Sequence, residues 1–170
     1  MALRNQQLLP WSIAALVLAV IEGMVADRIG GATMRLVANA ATGAFMGVVT
    51  FALLRYVLDR RSITNDKVFG AVAAYVLIAF TFASFFKLLQ LLEPGSFHVA
   101  TAASTGDQLD WAGMMYFSFT VLTSTGFGEI TPVTNMARGL IVIEQVLGVM
   151  YVAFLIARLA NLYGRQEPQD

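Results

Sequence analysis

The sequence predicts an all-α membrane protein, with four transmembrane helices and a shorter helix that enters the bilayer and turns back. Three observations predict it. The 170 residues are 58% hydrophobic and only 13% charged, with a mean hydropathy of +0.69, and a soluble domain of this size would aggregate with so few charges. Four apolar stretches, 8–26, 34–58, 68–92 and 136–162, are each 19 residues or longer. That is enough to cross a hydrocarbon core of roughly 30 Å. Between the last two lies Trp111–Leu122, helix-compatible but 12 residues long. At about 1.5 Å per residue it reaches roughly 18 Å and cannot cross.

The elements follow in order. Arg4 precedes the first apolar run and Met24-Val25-Ala26 ends it, flanks that a signal peptide also has. The run is long for one, Glu22 interrupts it, and cleavage would leave poor charge topology, so it is read as a span. Gly30-Gly31 breaks the chain in the 27–33 turn. The second span holds Gly43-Ala44-Phe45-Met46-Gly47, a small-xxx-small pattern that permits close helix packing but that chance also produces in so Gly- and Ala-rich a chain. A short polar link, 59–67, leads to the third span, and a Ser-, Thr-, Ala- and Gly-rich loop, 93–109, follows it. Asp110 is a good N-cap for the short helix. Thr131-Pro132 ends the segment after that helix, and Asn135 is placed to cap the last span.

Charge sets an expected orientation. From 88 to 137 there is no Lys or Arg across 50 residues, and the acids there are Glu93, Asp107, Asp110 and Glu129. Arg55, Arg60, Arg61 and Lys67 crowd the link between the second and third spans, Arg4 flanks the first, and Arg158 and Arg165 end the fourth. The positive-inside rule then puts both termini and the 59–67 link in the cytoplasm of a multi-pass cell (inner) membrane protein, with Arg28 and Arg35 counting against it. The net charge is zero and cysteine is absent. No nucleic-acid partner is implied, and neither a disulfide nor a thiolate metal site exists. His98, the single histidine, is read as a loop residue. No nucleophile–base pair suggests an enzyme, and no arginine series suggests a voltage sensor.

Thr123-Ser124-Thr125-Gly126-Phe127-Gly128-Glu129 joins the half-length helix to the last full span. Bare backbone at bilayer depth must line water or be buried in protein. The reading is a re-entrant loop that lines an ion pathway.

The run 110–132, with Tyr116-Phe117-Ser118-Phe119-Thr120-Val121-Leu122-Thr123 and the Gly126-Phe127-Gly128-Glu129 core, resembles the pore loop of potassium channels. Arg138-Gly139-Leu140, Glu144-Gln145, Gly148 and Leu155-Ile156-Ala157-Arg158-Leu159 are similar to the inner helix of the bacterial two-helix pore-domain family. The resemblance covers about 70–162 and leaves the first two spans outside. It implies a pore domain over 68–162, two peripheral helices and a cytoplasmic linker over 1–67, and a short cytoplasmic tail over 163–170. It also implies that Ser124, Thr125, Gly126, Phe127 and Gly128 form a selectivity-filter strand whose carbonyls, with the Ser124 hydroxyl, hold dehydrated K+ ions. Ser124 stands where the family has threonine, Thr125 where it has valine, Phe127 where it has tyrosine and Glu129 where it has aspartate. Gly126 and Gly128 match, and their freedom from a Cβ suits a strand that turns alternate carbonyls one way. No other cofactor is implied.

One strand cannot surround an ion, so the partners are three identical subunits in a homotetrameric channel within the lipid bilayer. The short helix would aim its C-terminal end, about half a negative charge, at the ion path. Four copies of Glu129, Asp107, Asp110 and Glu93 would concentrate cations at the outer mouth. Tyr116 and Thr120 lie on the helix behind the filter and join its expected support. Within the spans, Glu22, Lys87 and Glu144 are expensive charges. Lys87 and Glu144 are expected to form a buried pair buttressing the filter, with snorkelling of Lys87 to the interface as the alternative. Thr120 and Thr125 are further candidate partners for Glu144. The resemblance implies a hinge at Gly148, with close helix packing as the alternative, and, in the family's register, a pore-facing apolar gate of Val149, Val152, Ile156 and Ala160, with some of these facing neighbouring helices as the alternative. The leading expectation is a potassium-selective channel. A nonselective or sodium-permeant cation channel is the alternative within that class, and a non-conducting scaffold or accessory subunit the alternative outside it.

Overall fold

The computed structural model describes residues 31–59, 65–100 and 108–163. The expected first span, Glu22, Asp107 and the 164–170 tail lie outside the described residues. Three helices are long and apolar enough to cross a membrane. They are α1 (Ala32–Leu58), α2 (Asn65–Leu92) and α4 (Asn135–Tyr163). The short helix α3 (Trp111–Leu122) has the expected bounds.

Small residues let α1 lie close along α2. A Cβ on Gly43 would be 3.3 Å from the Ser84 Cβ, and one on Gly47 would be 3.9 Å from the Thr81 Cγ2. The 43–47 pattern therefore faces the neighbouring helix. Thr50 and Thr81 add a hydroxyl pair at 2.9 Å between the same helices. This polar contact is satisfied internally, as an apolar surround requires. At the end of α1, Lys67 Nζ donates to the Asp59 carbonyl at 3.0 Å, and Arg158 of α4 donates to the Val57 carbonyl and, at 2.8 Å, to that of Asp59. Three donors thus meet carbonyls that a helix C-terminus leaves open.

Aromatic packing fixes α3 against α2. Phe86, Phe97 and Phe117 form a trio with centroids 5.3–5.6 Å apart. Around it, Phe82, Met114, Val121 and Leu122 are buried in one continuous core. Tyr75 of α2 stacks on Tyr151 of α4 at 5.8 Å, and the Tyr151 hydroxyl donates to the Ala71 carbonyl at 2.7 Å.

Two details differ from the sequence reading. The loop after α2 contains a strand, β1 (Phe97–Val99), paired antiparallel with β2 (Ile130–Pro132), so that His98 faces Thr131. Ala100 N–H to Glu129 O at 2.7 Å and Val133 N–H to Ser96 O at 2.8 Å extend this ribbon at both ends. And Asn135 is the first residue of α4 rather than its cap. Thr134 takes that role, because its Oγ1 accepts from Ala137 N–H at 3.3 Å, the third helical position that a capping hydroxyl reaches.

Candidate functional site

The start of α3 is held by three groups. Asp110 is the N-cap, accepting from Gly113 N–H at 2.8 Å. Just before it, Leu109 is gripped from α2: Gln90 accepts its N–H and donates to its carbonyl, both at 3.0 Å, and Lys87 Nζ donates to the same carbonyl at 2.8 Å. Gln90 was missed in the sequence. Its signal is a second polar residue three positions after Lys87 on one face of an apolar helix.

The expected Lys87–Glu144 pair is therefore corrected. Lys87 is buried and reaches the loop ahead of α3, neither pairing with Glu144 nor snorkelling free of the protein. Glu144, fully buried, contacts the Ser118 hydroxyl in the middle of α3. Two side chains at nearly one depth on different helices meet only if both helices are rotated to allow it, and here they are not. Thr120 and Thr125 do not reach Glu144 either: Thr120 Oγ1 donates to Phe117 O at 2.7 Å, and Thr125 Oγ1 pairs with Thr123 Oγ1 at 2.8 Å.

Beyond Leu122 the backbone takes an unusual course. Ser124, Gly126 and Gly128 have φ of 56°, 52° and 91°, and Ser124 is the non-glycine residue with positive φ among the described residues. Left-handed backbone at every second residue, separated by Thr125 and Phe127, is costly wherever a Cβ is present. A Cβ on Gly126 or Gly128 would meet nothing within 4 Å. Conformation, not space, demands glycine there.

Thr120 O accepts from both Thr125 N–H at 2.8 Å and Gly126 N–H at 3.2 Å, and Val121 O accepts from Ser124 N–H at 2.9 Å. The N–H groups of the bend thus turn back to α3. No described residue donates to the carbonyls of Ser124, Thr125, Gly126 or Phe127. Residues 123–128 are exposed, while Val121, Leu122 and Ile130 on either side are buried.

Side chains brace the segment. Phe127 stacks on Tyr116, with centroids 6.2 Å apart and planes within 5°. The Tyr116 hydroxyl donates to the Glu129 carboxylate. The Leu122 carbonyl at the end of α3 accepts from the Tyr75 hydroxyl at 3.2 Å and lies against Gly148 of α4. A Cβ at 148 would collide with that carbonyl oxygen and come within 2.9 Å of Leu122 Cδ1. Gly148 is thus where α4 packs closest to α3. Val149, Val152, Ile156 and Ala160 are all exposed along α4, the helix least covered by its own chain among the three long ones.

A half-length helix, an exposed bend with free carbonyls and a full-length apolar helix now stand in sequence. The sequence profile described as "Ion channel" matches residues 68–165, more than half of the chain and the whole of this arrangement. The chain belongs to the ion channel family. It is a membrane protein whose family match starts in α2 and runs past α4, leaving α1 outside. Protein LctB of Geobacillus stearothermophilus is 27% identical over 124 residues, covering 68% of this chain and 92% of that protein. No solved structure matches the chain.

Proposed function

We propose that this chain is one subunit of a homotetrameric, potassium-selective channel of the cell membrane, with both termini cytoplasmic. Ions would pass along the backbone of Ser124, Thr125, Gly126, Phe127 and Gly128. The observation that carries this reading is the positive φ at Ser124, Gly126 and Gly128. A backbone alternating in handedness turns successive carbonyls to one side, and those of 124–127 accept no hydrogen bond from the described residues. Unsatisfied carbonyls at bilayer depth call for a ligand, and a dehydrated cation is one.

A single bend offers carbonyls on one side of an ion, so four copies around an axis are needed to enclose it. In that arrangement the exposed stripe Val149, Val152, Ile156 and Ala160 faces the axis, Val152 and Ile156 form the apolar constriction, and Gly148 is the point about which α4 moves. Glu129 and Asp110 line the mouth. The test is an ion-replacement current in reconstituted liposomes, with subunit number from native mass spectrometry. Potassium current that is abolished by Gly126→Ala, from a tetramer, is the expected result. Equal sodium and potassium currents would replace selectivity with general cation conduction. Absence of flux, or assembly that stops at a dimer, would overturn the reading.

A further inference from the structure

Glu144 is the fully buried carboxyl group of the described residues, in the first half of α4. Its Oε1 contacts the Ser118 hydroxyl, and its Oε2 has no hydrogen-bond partner among the described residues. The Ser118 Oγ also lies 2.7 Å from the Ala79 carbonyl oxygen of α2.

Counting protons decides the charge. A serine hydroxyl carries one proton, and a carbonyl oxygen can only accept. The Ser118 proton therefore goes to Ala79. The Ser118–Glu144 contact then needs a second proton, and only the carboxyl group can supply it. Were Glu144 ionised, one proton would face two acceptors, and one close oxygen–oxygen contact would have none.

The cations agree with this count. Lys87 is on the Leu109 carbonyl, Lys67 on that of Asp59, Arg158 on those of Val57 and Asp59, and Arg55 over the Phe51 ring. Arg138 faces Pro132. A carboxylate buried among apolar helices with no counter-charge among the described residues is strongly disfavoured, and the neutral acid removes that penalty.

We propose that Glu144 is held as the neutral carboxylic acid and is a positioning residue, donating its proton to Ser118 and so tying α4 to α3 and, through Ser118, to α2. The consequence reaches the bend directly. Ser118 lies two residues before Thr120, whose carbonyl holds the N–H groups of Thr125 and Gly126. Loss of the Glu144 proton leaves Ser118 with two acceptors, breaks one tie and frees α3 to shift. Tyr75 of α2 is the titratable group that faces Glu144, and its own proton is on the Leu122 carbonyl. No titratable group of α3 contacts Glu144, and the described arginines of α4 are occupied elsewhere, as above. The tie is thus complete while Glu144 carries its proton and is lost when that proton is removed.

As a statement about conduction, this rests on the proposed channel reading. Its test does not. Infrared spectra of the full-length protein at neutral pH should contain the carbonyl stretch of a protonated carboxylic acid, absent from Glu144→Gln and lost from wild type on alkaline titration. Glu144→Gln keeps a neutral donor for Ser118 and should melt with wild type at neutral pH, without its alkaline decline. Glu144→Leu removes the donor and should melt below Glu144→Gln at every pH. An ionised Glu144 in the neutral-pH spectrum overturns the proposal, as does Glu144→Gln melting as low as Glu144→Leu. If these spectra and melts come out as expected while no variant conducts, the neutral tie stands and the channel reading fails.

Discussion

Replacing Gly148 with alanine tests the close approach of α4 to the end of α3. The added Cβ collides with the Leu122 carbonyl oxygen and meets Leu122 Cδ1 at 2.9 Å and the carbonyl carbon at 3.1 Å. The side chain can rotate away, but the carbonyl belongs to the last turn of α3 and also accepts the Tyr75 hydroxyl. Overpacking of this kind costs about 1–3 kcal/mol. Losing the Tyr75 bond adds about 1 kcal/mol. Against this stands the alanine-over-glycine helix preference of about 1 kcal/mol. The net is a loss of about 1–3 kcal/mol. Gly139 in the same helix is the control, because a Cβ there meets nothing within 4 Å. Gly139→Ala should stabilise by up to about 1 kcal/mol. Both are measured by unfolding in mixed micelles, followed by helical circular dichroism. If Gly148→Ala is as stable as Gly139→Ala, the close contact between α3 and α4 is not real, and a role for Gly148 resting on packing falls with it.

Three further outcomes are expected. Gln90→Leu leaves the Leu109 N–H without its partner and should destabilise the protein by about 1–3 kcal/mol in the same unfolding assay; an unchanged transition would mean that Lys87 alone holds Leu109. Gly128→Ala has room for its Cβ but not the backbone conformation, at a cost of about 1–2 kcal/mol; flux should be lost while the helical content stays, and normal flux would refute the conformational argument. Arg158→Met removes the guanidinium from the Val57 and Asp59 carbonyls, so amide hydrogen exchange near the end of α1 should speed up several-fold. Protection equal to wild type would show that Lys67 suffices there.

What was legible in the sequence follows from how local the cause is. The three described spans start and end within three residues of the apolar runs, because burial in lipid selects for length and apolarity alone. Asp110 was legible because a cap bonds three residues ahead. The partners of Lys87 and Glu144 were not. Nearly every position on these helices is apolar, so no periodicity reveals which way a helix is turned, and depth alone suggested a pair that rotation forbids. The ribbon was hidden for another reason. Phe97-His98-Val99 is only three residues long and is paired with residues more than thirty positions away. Tyr75 went unnoticed because a tyrosine among apolar residues reads as core until its hydroxyl is seen on Leu122 O.

The 124–128 bend shows how a costly backbone is kept in place. Ser124 accepts a left-handed conformation without being glycine, a strain of roughly 1–3 kcal/mol that persists only if the surroundings over-determine it. Five contacts do so here. Thr120 O takes two N–H groups from the bend, Thr123 and Thr125 join hydroxyls, Phe127 lies flat on Tyr116, and Tyr116 also holds Glu129. Glu129 is in turn fixed through its carbonyl to Ala100 at the end of the ribbon. The contacts made to 124–128 themselves engage N–H groups or side chains, and no described residue donates to a carbonyl of 124–127. The segment is therefore braced on the face toward α3, and its carbonyls are not part of that bracing. That division is the arrangement that the proposed cation path requires.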